Sequence, residues 1–373
     1  MKKTLIDLFS GCGGLSLGLE QAGFEVVFAN DINPICSDTF INDIKIDKDS
    51  FFVGDIKTLI LEYKKYEKYF ENVDLISGGP PCQGFSMANR QRIIDDPRNI
   101  LYKAYLQLLS LSKPKFFIME NVKGMAKKID EILEDFNNVL QNKYDISYRI
   151  LNAKDFGVPQ NRERLFIIGN RIGIKSEKIF ENICGAIYNS FVLKDAIADL
   201  PSLGANRIKN NTSIENSEVG FKEIEHSYKK TGFYKFINGN KDIKYLYNHK
   251  NRYNNERDLK IFSTLPQGEN SLHYSISDIM PYKTRNHIFK DKYFKLKYND
   301  VCKTITSHMK YDCNMYIHPA QSRGLSPREA ARIQTFPDDF VFVGPQNNWY
   351  MQIGNAVPVK LANAIGGEII KWL

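Results

Sequence analysis

The chain opens with an alternation of two kinds of segment. "TLIDLF", "EVVFAND", "FFVGD", "VDLISGG" and "KFFIMENV" are short runs rich in Val, Ile, Leu and Phe. Between them lie longer stretches with apolar residues three or four apart, such as "LSLGLEQAGF" and "NILYKAYLQLLSLS". The first kind reads as buried strand and the second as amphipathic helix. Strands alternating with helices predict an α/β domain with a parallel sheet covered on both faces. "YDISYRILNA" and "RLFIIGN" add two strands near Gly169, close enough to pair as a hairpin. From about residue 180 to 320 the alternation fails, and polar loops such as "NRIKNNTSIENS" separate short apolar runs. A regular pattern returns at "SPREAARIQTF", and "NAVPVKLANAIGGEIIKWL" reads as a closing amphipathic helix.

Composition narrows the class. With 43% hydrophobic and 25% charged residues, the 373-residue chain is ordinary globular protein. No run is long and apolar enough to span a bilayer, and "MKKTLIDLF" continues into a strand rather than a signal peptide. The six cysteines, at 12, 36, 82, 184, 302 and 313, show no CxxC spacing. That argues against a disulfide framework or zinc ribbon, implies no metal, and points to a reducing, cytoplasmic setting. The net charge of +8 is confined: residues 171–320 carry 24 Lys and Arg against 16 Asp and Glu, the remainder 27 against 27. A basic segment rich in Tyr, Phe and Asn suits a polyanion such as nucleic acid, although a solvated Lys-rich surface has the same composition.

Candidate chemistry gathers at the ends of the strands. "DLFSGCGG" follows the first strand, and Gly11, Gly13 and Gly14 permit a tight turn with close approach of a ligand at a helix N-terminus. Ser16 stands where a dinucleotide fingerprint wants its third glycine, which favours a nucleoside without a phosphate chain. Asp31 is expected to end the second strand and accept ribose hydroxyls, and Asp55 to end the third and accept from an adenine amino group. A helix N-cap is the alternative for each aspartate taken separately, and the coincidence of the turn with two acidic strand ends makes it the lesser reading. In "GGPPCQGFS", two prolines stiffen the exit of the fourth strand just before Cys82. Glu120 ends the fifth, and Arg162 and Arg164 in "QNRERLF" alternate, so both point to one face. A thiol, a carboxyl and a guanidinium beside an adenosyl pocket form a specific set, with an ordinary Glu120–Arg164 ion pair as the alternative.

These blocks, with "MENV", "SPREAARIQTFPD" and "QIGNAVPV" in the same order, resemble the DNA cytosine-5 methyltransferases of bacterial restriction–modification systems over nearly the full length. The resemblance implies a Rossmann-like S-adenosylmethionine-dependent sheet domain, residues 1–180 with 345–373, and a target-recognition domain, residues 181–344. It implies S-adenosylmethionine as methyl donor, held by Phe9, Gly11, Gly13, Gly14, Leu15, Asp31, Ile32, Asp55, Ile56, Pro81, Asn355 and Ala356. Leu15 stands where the family often has an aromatic, and Cys12 in the turn is read as passive. A Cys82 thiolate would attack carbon 6 of a flipped-out cytosine, Glu120 would protonate ring nitrogen 3, and Arg164 would hold the carbonyl oxygen, with Arg162 beside it. Asn121 would fix the loop around Glu120. "QGFSMANRQRIIDDPRN", with Gly84 as hinge, would close over the DNA. The implied partners are double-stranded DNA and a cognate restriction endonuclease, for a monomer in the bacterial cytoplasm. In the basic segment, "KDKYFKLKYND" offers Lys292, Lys295 and Lys297 to phosphates, and "TLPQGEN", with Thr264 and Leu265, resembles a recurring recognition element.

Several rivals lack their signatures. An amino-methyltransferase would carry Asp/Asn-Pro-Pro-aromatic where this chain has Gly79-Pro80-Pro81-Cys82, and a zinc deaminase would need His-x-Glu with Cys-x-x-Cys. A tRNA cytosine-5 methyltransferase shares the core but has a shorter central segment. A non-enzymatic DNA-binding module would not need Cys82, Glu120 and Arg164 together.

Overall fold

The computed structural model describes residues 2–81, 101–209, 213–281 and 291–373. The chain divides into two compact units, one of Met1–Gly157, Arg162–Asn189 and Ala356–Leu373, the other of Val158–Asn161 and Ser190–Asn355.

The first unit is built on strands β1 (Lys3–Leu8), β2 (Phe24–Asp31), β3 (Phe51–Val53), β4 (Leu75–Gly78), β5 (Phe116–Val122) and β6 (Asp145–Asn152). A short β7 (Gln160–Asn161) belongs to the second unit, and β8 (Glu163–Asn170) returns to the first. Their order is β3-β2-β1-β4-β5-β8-β6. β1 to β5 run parallel, and β8 is antiparallel to both β5 and β6, so the hairpin expected near Gly169 forms. The chain winds outward from β1 to β3 and then from β4 the other way. A topological switch point therefore lies between β1 and β4, where an α/β sheet opens a crevice at its carboxyl ends.

Helices α1 (Gly14–Gln21), α2 (Pro34–Ile44), α3 (Ile56–Leu61), α4 (Tyr63–Phe70), α5 (Leu101–Ser112), α6 (Ile129–Val139) and α7 (Ser176–Gly185) accompany the strands. Ile6, Leu8, Phe28, Ile76, Phe117 and Met119 from the strands share one core with Tyr105, Leu109 and Phe136 from the helices. Tyr105 also donates its hydroxyl to the carbonyls of Ile76 and Ile118, at 3.1 and 2.9 Å, joining β4 to β5.

The second unit holds α8 (Leu193–Ile197), α9 (Gly232–Asn238), α10 (Glu256–Thr264), α11 (Pro327–Ile333) and α12 (Gln346–Asn355). Its strands are the antiparallel pair β9 (Gly220–Glu225) and β10 (Tyr245–Lys250), and β11 (Cys302–Lys303), which pairs with β7. α11 is the "SPREAARIQTF" pattern, capped by Ser326, whose hydroxyl accepts from the Glu329 amide while the Glu329 carboxylate accepts from the Ser326 amide. Every residue of α11 is buried, Arg328 and Arg332 included. Arg332 pairs with Asp199 at 2.5 Å and Asp338 at 2.8 Å, while Arg328 donates to the carbonyls of Tyr247, Pro337 and Phe340.

The chain then rejoins the first unit in α13 (Val359–Ile369). This helix starts four residues later than the sequence pattern suggests, because Pro358 caps it in extended backbone. It lies so close to α1 that a Cβ on Gly18 would stand 2.3 Å from the Val359 carbonyl and 2.4 Å from Ala362 Cβ.

Candidate active site

The glycine turn after β1 is bent by two residues at positive φ, Phe9 at 55° and Gly11 at 56°, and Gly13 at 93° caps α1. Beneath it, Asp7 is buried and accepts from the hydroxyls of Ser16 at 2.5 Å and Ser77 at 2.7 Å. Burial pushes the Asp7 carboxyl up to about 6, against the pull of those hydroxyls. Ser16, read above as a missing glycine, is thus a strut between helix and sheet. Leu15 and Cys12 are buried, and burial holds the Cys12 thiol well above its ordinary range, consistent with a passive residue.

Asp31 sits at the tip of β2, where its two oxygens accept from the amides of Gly11 and Asn33, both at 2.8 Å. It therefore ties the glycine turn to the neighbouring strand. Burial raises its pKa, opposed by those backbone donors. Ile32 beside it is 68% exposed and Val53 at the end of β3 is 47% exposed, an apolar rim beside the turn. Asp55 differs from expectation. β3 ends at Val53, and Asp55 is an exposed N-cap of α3, accepting from the Lys57 amide at 2.8 Å. Ile56 behind it is buried.

Two observations fit a small polar–apolar ligand at this turn. Among the described residues nothing lies within 4 Å of where a Cβ on Gly11 would be, so the backbone is open to close approach. The Ser10 hydroxyl, missed in the sequence reading, is buried without a hydrogen-bond partner among the described residues. A buried hydroxyl left unpaired costs free energy that a ligand acceptor would recover. The only sequence signal for it was its place inside "FSGCGG".

Glu120 projects from β5 beside β4. A Cβ on Gly79 would stand 3.4 Å from Glu120 Oε2, while Oε1 meets Arg164 Nε at 3.0 Å. The two side chains are 13% and 14% exposed. Burial raises the Glu120 pKa, resisted by Arg164 and then by Arg162, and burial lowers that of Arg164, resisted by Glu120. Arg162 is buried and donates to the Ala356 carbonyl at 2.9 Å. Both arginines thus bear on one carboxyl, as their alternation suggested. Asn121 donates its amide to the Pro80 carbonyl at 2.9 Å and accepts from the Val122 amide. It therefore fixes the Pro80–Pro81 segment more directly than Glu120 itself. Pro81 is exposed; Cys82, Gly84 and the loop through residue 99 lie outside the described residues. Asn355 is exposed at the end of α12, in the second unit.

In the second unit, Lys295 points inward and donates to the Phe262 carbonyl at 2.9 Å, so it is no free phosphate ligand, whereas Lys297 is exposed. Leu265 is a core residue. Among the described residues no group of His, Cys, Asp and Glu could hold a metal ion, and no helix is long and apolar enough to cross a membrane.

The sequence pattern of the C-5 cytosine-specific DNA methylase family matches residues 3–371. Type II methyltransferase M1.HphI of Haemophilus parahaemolyticus is 35% identical over 382 residues, covering 100% of this chain and 87% of that protein. Type II methyltransferase M.MthTI of Methanothermobacter thermautotrophicus is 32% identical over 379 residues, covering 100% of this chain and 98% of the relative. A crystal structure from E. coli, assigned as a DNA modification methyltransferase encoded within a prophage, superposes with a TM-score of 0.77 at 28% identity, covering 99% of each chain. The Dnmt2 methyltransferase of S. pombe shares the fold at 16% identity, with a TM-score of 0.58.

Proposed function

The chain belongs to the C-5 cytosine-specific DNA methylases and is an S-adenosylmethionine-dependent DNA cytosine-5 methyltransferase, and from that premise we propose that Cys82, Glu120 and Arg164 perform the reaction on a cytosine flipped out of the duplex. S-adenosylmethionine, when bound, supplies the electrophilic methyl group. Ser10, Gly11 and Asp31 would hold it against the apolar rim of Ile32 and Val53, with the remaining crevice residues named above.

The Cys82 thiolate forms a bond to carbon 6, and Glu120 gives its proton to ring nitrogen 3 as electrons move into the ring. Carbon 5 is thereby made nucleophilic. After methylation, a water takes the carbon-5 proton, the double bond re-forms, the Cys82 sulfur leaves as thiolate, and nitrogen 3 returns its proton to Glu120. Arg164 faces the base's carbonyl oxygen and balances charge as the thiolate adds. The observation that carries this reading is the pair of contacts that tie Gly79 and Pro80, which precede Cys82 in the sequence, to β5. Asn121 holds the Pro80 carbonyl, and Glu120 lies against Gly79, three residues before Cys82. A carboxyl whose burial favours its protonated form is suited to donate to nitrogen 3.

The first unit is the catalytic domain, and the second, where most of the charge excess falls, is the target-recognition domain. The enzyme acts as a monomer in the bacterial cytoplasm and protects DNA from a partner restriction endonuclease. Incubation with 5-fluorocytosine DNA and cofactor yields a denaturation-resistant adduct, since fluorine cannot leave as a proton does. Cys82→Ser abolishes both adduct and turnover while retaining cofactor affinity. Appreciable turnover by that variant refutes the covalent route.

A further inference from the structure

A 3-10 turn, Ser307–Lys310, follows β11 in the second unit and is built more firmly than its exposed position requires. Arg252 donates to the carbonyls of Met309 at 2.6 Å and Tyr311 at 2.7 Å while its guanidinium stacks over the Tyr350 ring, 5.6 Å from the centroid. Met309 and Cys313 anchor the turn in the interior. Gly354 packs so tightly beneath it that a Cβ there would lie 2.2 Å from the Ser307 amide nitrogen.

This rigid base presents polar and aromatic groups outward. Tyr311 is 65% exposed, and the Lys310 ammonium lies 4.8 Å from its ring centroid. The His308 side chain is 55% exposed and stacks edge-on to Tyr311, with Asp312 at 3.9 Å. Asp312 also accepts from the Asn314 amide, so this carboxylate is partly engaged by the backbone.

The turn is also tied to the strand that leads into the arginines. Thr304 donates its hydroxyl to the Asn161 carbonyl at 2.7 Å, and the Ile305 amide donates to Gln160 Oε1 at 2.7 Å. Asn161 is followed directly by Arg162 and, two residues later, by Arg164.

We propose that the His308–Tyr311 turn grips the backbone of the substrate duplex, Lys310 through a phosphate and Tyr311 through the apolar face of a deoxyribose. A cation carried on a preorganised turn neutralises a phosphate at little ordering cost, and a tyrosine adds contact area with few rotamers to freeze. The inference rests on the reading of the second unit as the DNA-recognition domain, and names within it an element that holds the duplex backbone.

The test is fluorescence anisotropy of the full-length protein on a labelled mixed-sequence duplex across a range of NaCl concentrations. Lys310→Gln makes the dependence of log affinity on log salt shallower by about one, the loss of a single phosphate contact. Tyr311→Ala weakens binding several-fold at every salt concentration and leaves that slope alone. Both variants keep the thermal midpoint and the calorimetric affinity for S-adenosylmethionine, because Tyr311 is exposed and Lys310, half-buried, is replaced by a side chain of similar length. An unchanged slope for Lys310→Gln, an unchanged affinity for Tyr311→Ala, or an equal loss of slope from Lys222→Gln on β9 overturns the proposal. Wild-type protein that forms no adduct with 5-fluorocytosine DNA overturns instead the covalent reading, which separates the two failures.

Discussion

Two carboxylate–guanidinium pairs, one in each unit, use the same groups to opposite effect. In the second unit Arg323 grips both oxygens of Glu329, at 2.7 and 2.6 Å, while the Ser326 amide donates to the same carboxylate at 2.7 Å. His318 stands 3.6 Å away, and Glu329 and Arg323 are essentially without exposure. Burial alone would raise the Glu329 pKa, but Arg323 and its hydrogen bonds override it and hold the group ionised, well below the ordinary range. In the first unit, among the described residues, Arg164 Nε stands 3.0 Å from Glu120 Oε1, and Oε2 faces Gly79. There burial prevails, and the carboxyl is pushed toward its protonated form. Saturation with donors makes a structural ion pair, whereas a carboxyl left with unspent capacity can hold and deliver a proton.

The largest expected effect tests the catalytic half of this contrast. Glu120→Gln keeps the shape but has no proton to deliver, and should lower kcat by roughly 10²–10⁴-fold in tritium-transfer assays. Its thermal midpoint should move far less than that of the next variant. A mutant retaining most activity would make Glu120 as structural as Glu329. Arg323→Ala, by contrast, strands a buried carboxylate and should cost about 3–5 kcal/mol in urea unfolding. A cost similar to that of Arg164→Ala would erase the distinction.

Asp31 tests an intermediate case, since both its oxygens already serve backbone amides while it borders the crevice proposed for the cofactor. Asp31→Ala should weaken S-adenosylmethionine by about 1.5–3 kcal/mol in calorimetry, the scale of a charge-assisted hydrogen bond. Asp55→Ala should also lose its cap, worth about 0.5–2 kcal/mol of stability. Unchanged cofactor affinity in both would remove the acidic residues from the crevice.

The smallest effect is a pH signature of opposite sign. Glu329 has a folded pKa below its unfolded value of about 4.3, so its stabilisation is present above that pH and lost as pH falls through the folded value. Glu120 has a folded pKa above the same reference, so its contribution is present below about 4.3 and lost as pH rises through the raised value. Unfolding free energies measured against pH should therefore lose their acid limb in Glu329→Gln, and part of the decline above that reference in Glu120→Gln. Matching shifts in the two variants would contradict the assigned directions.

The sequence by itself determined the sheet and the order of its chemistry. Apolar runs alternating with helical periodicity specify buried parallel strands, because such strands have no polar face, and β1 to β5 lie where those runs predicted. Glu120, Arg162 and Arg164 were legible too, since alternation along a strand sets the side on which a residue projects. The tertiary structure alone decided which donor each polar group meets. Periodicity records that a position is buried, but not that Asn121 reaches back 41 residues to Pro80. Nor could the string "SPREAARIQTF" disclose that Arg328 and Arg332 are fully buried, because burial of a guanidinium depends on acceptors supplied by distant segments, here Tyr247 and Asp199. The same holds for the turn at His308–Tyr311, whose carbonyls meet Arg252 and whose underside meets Gly354, both supplied by distant segments.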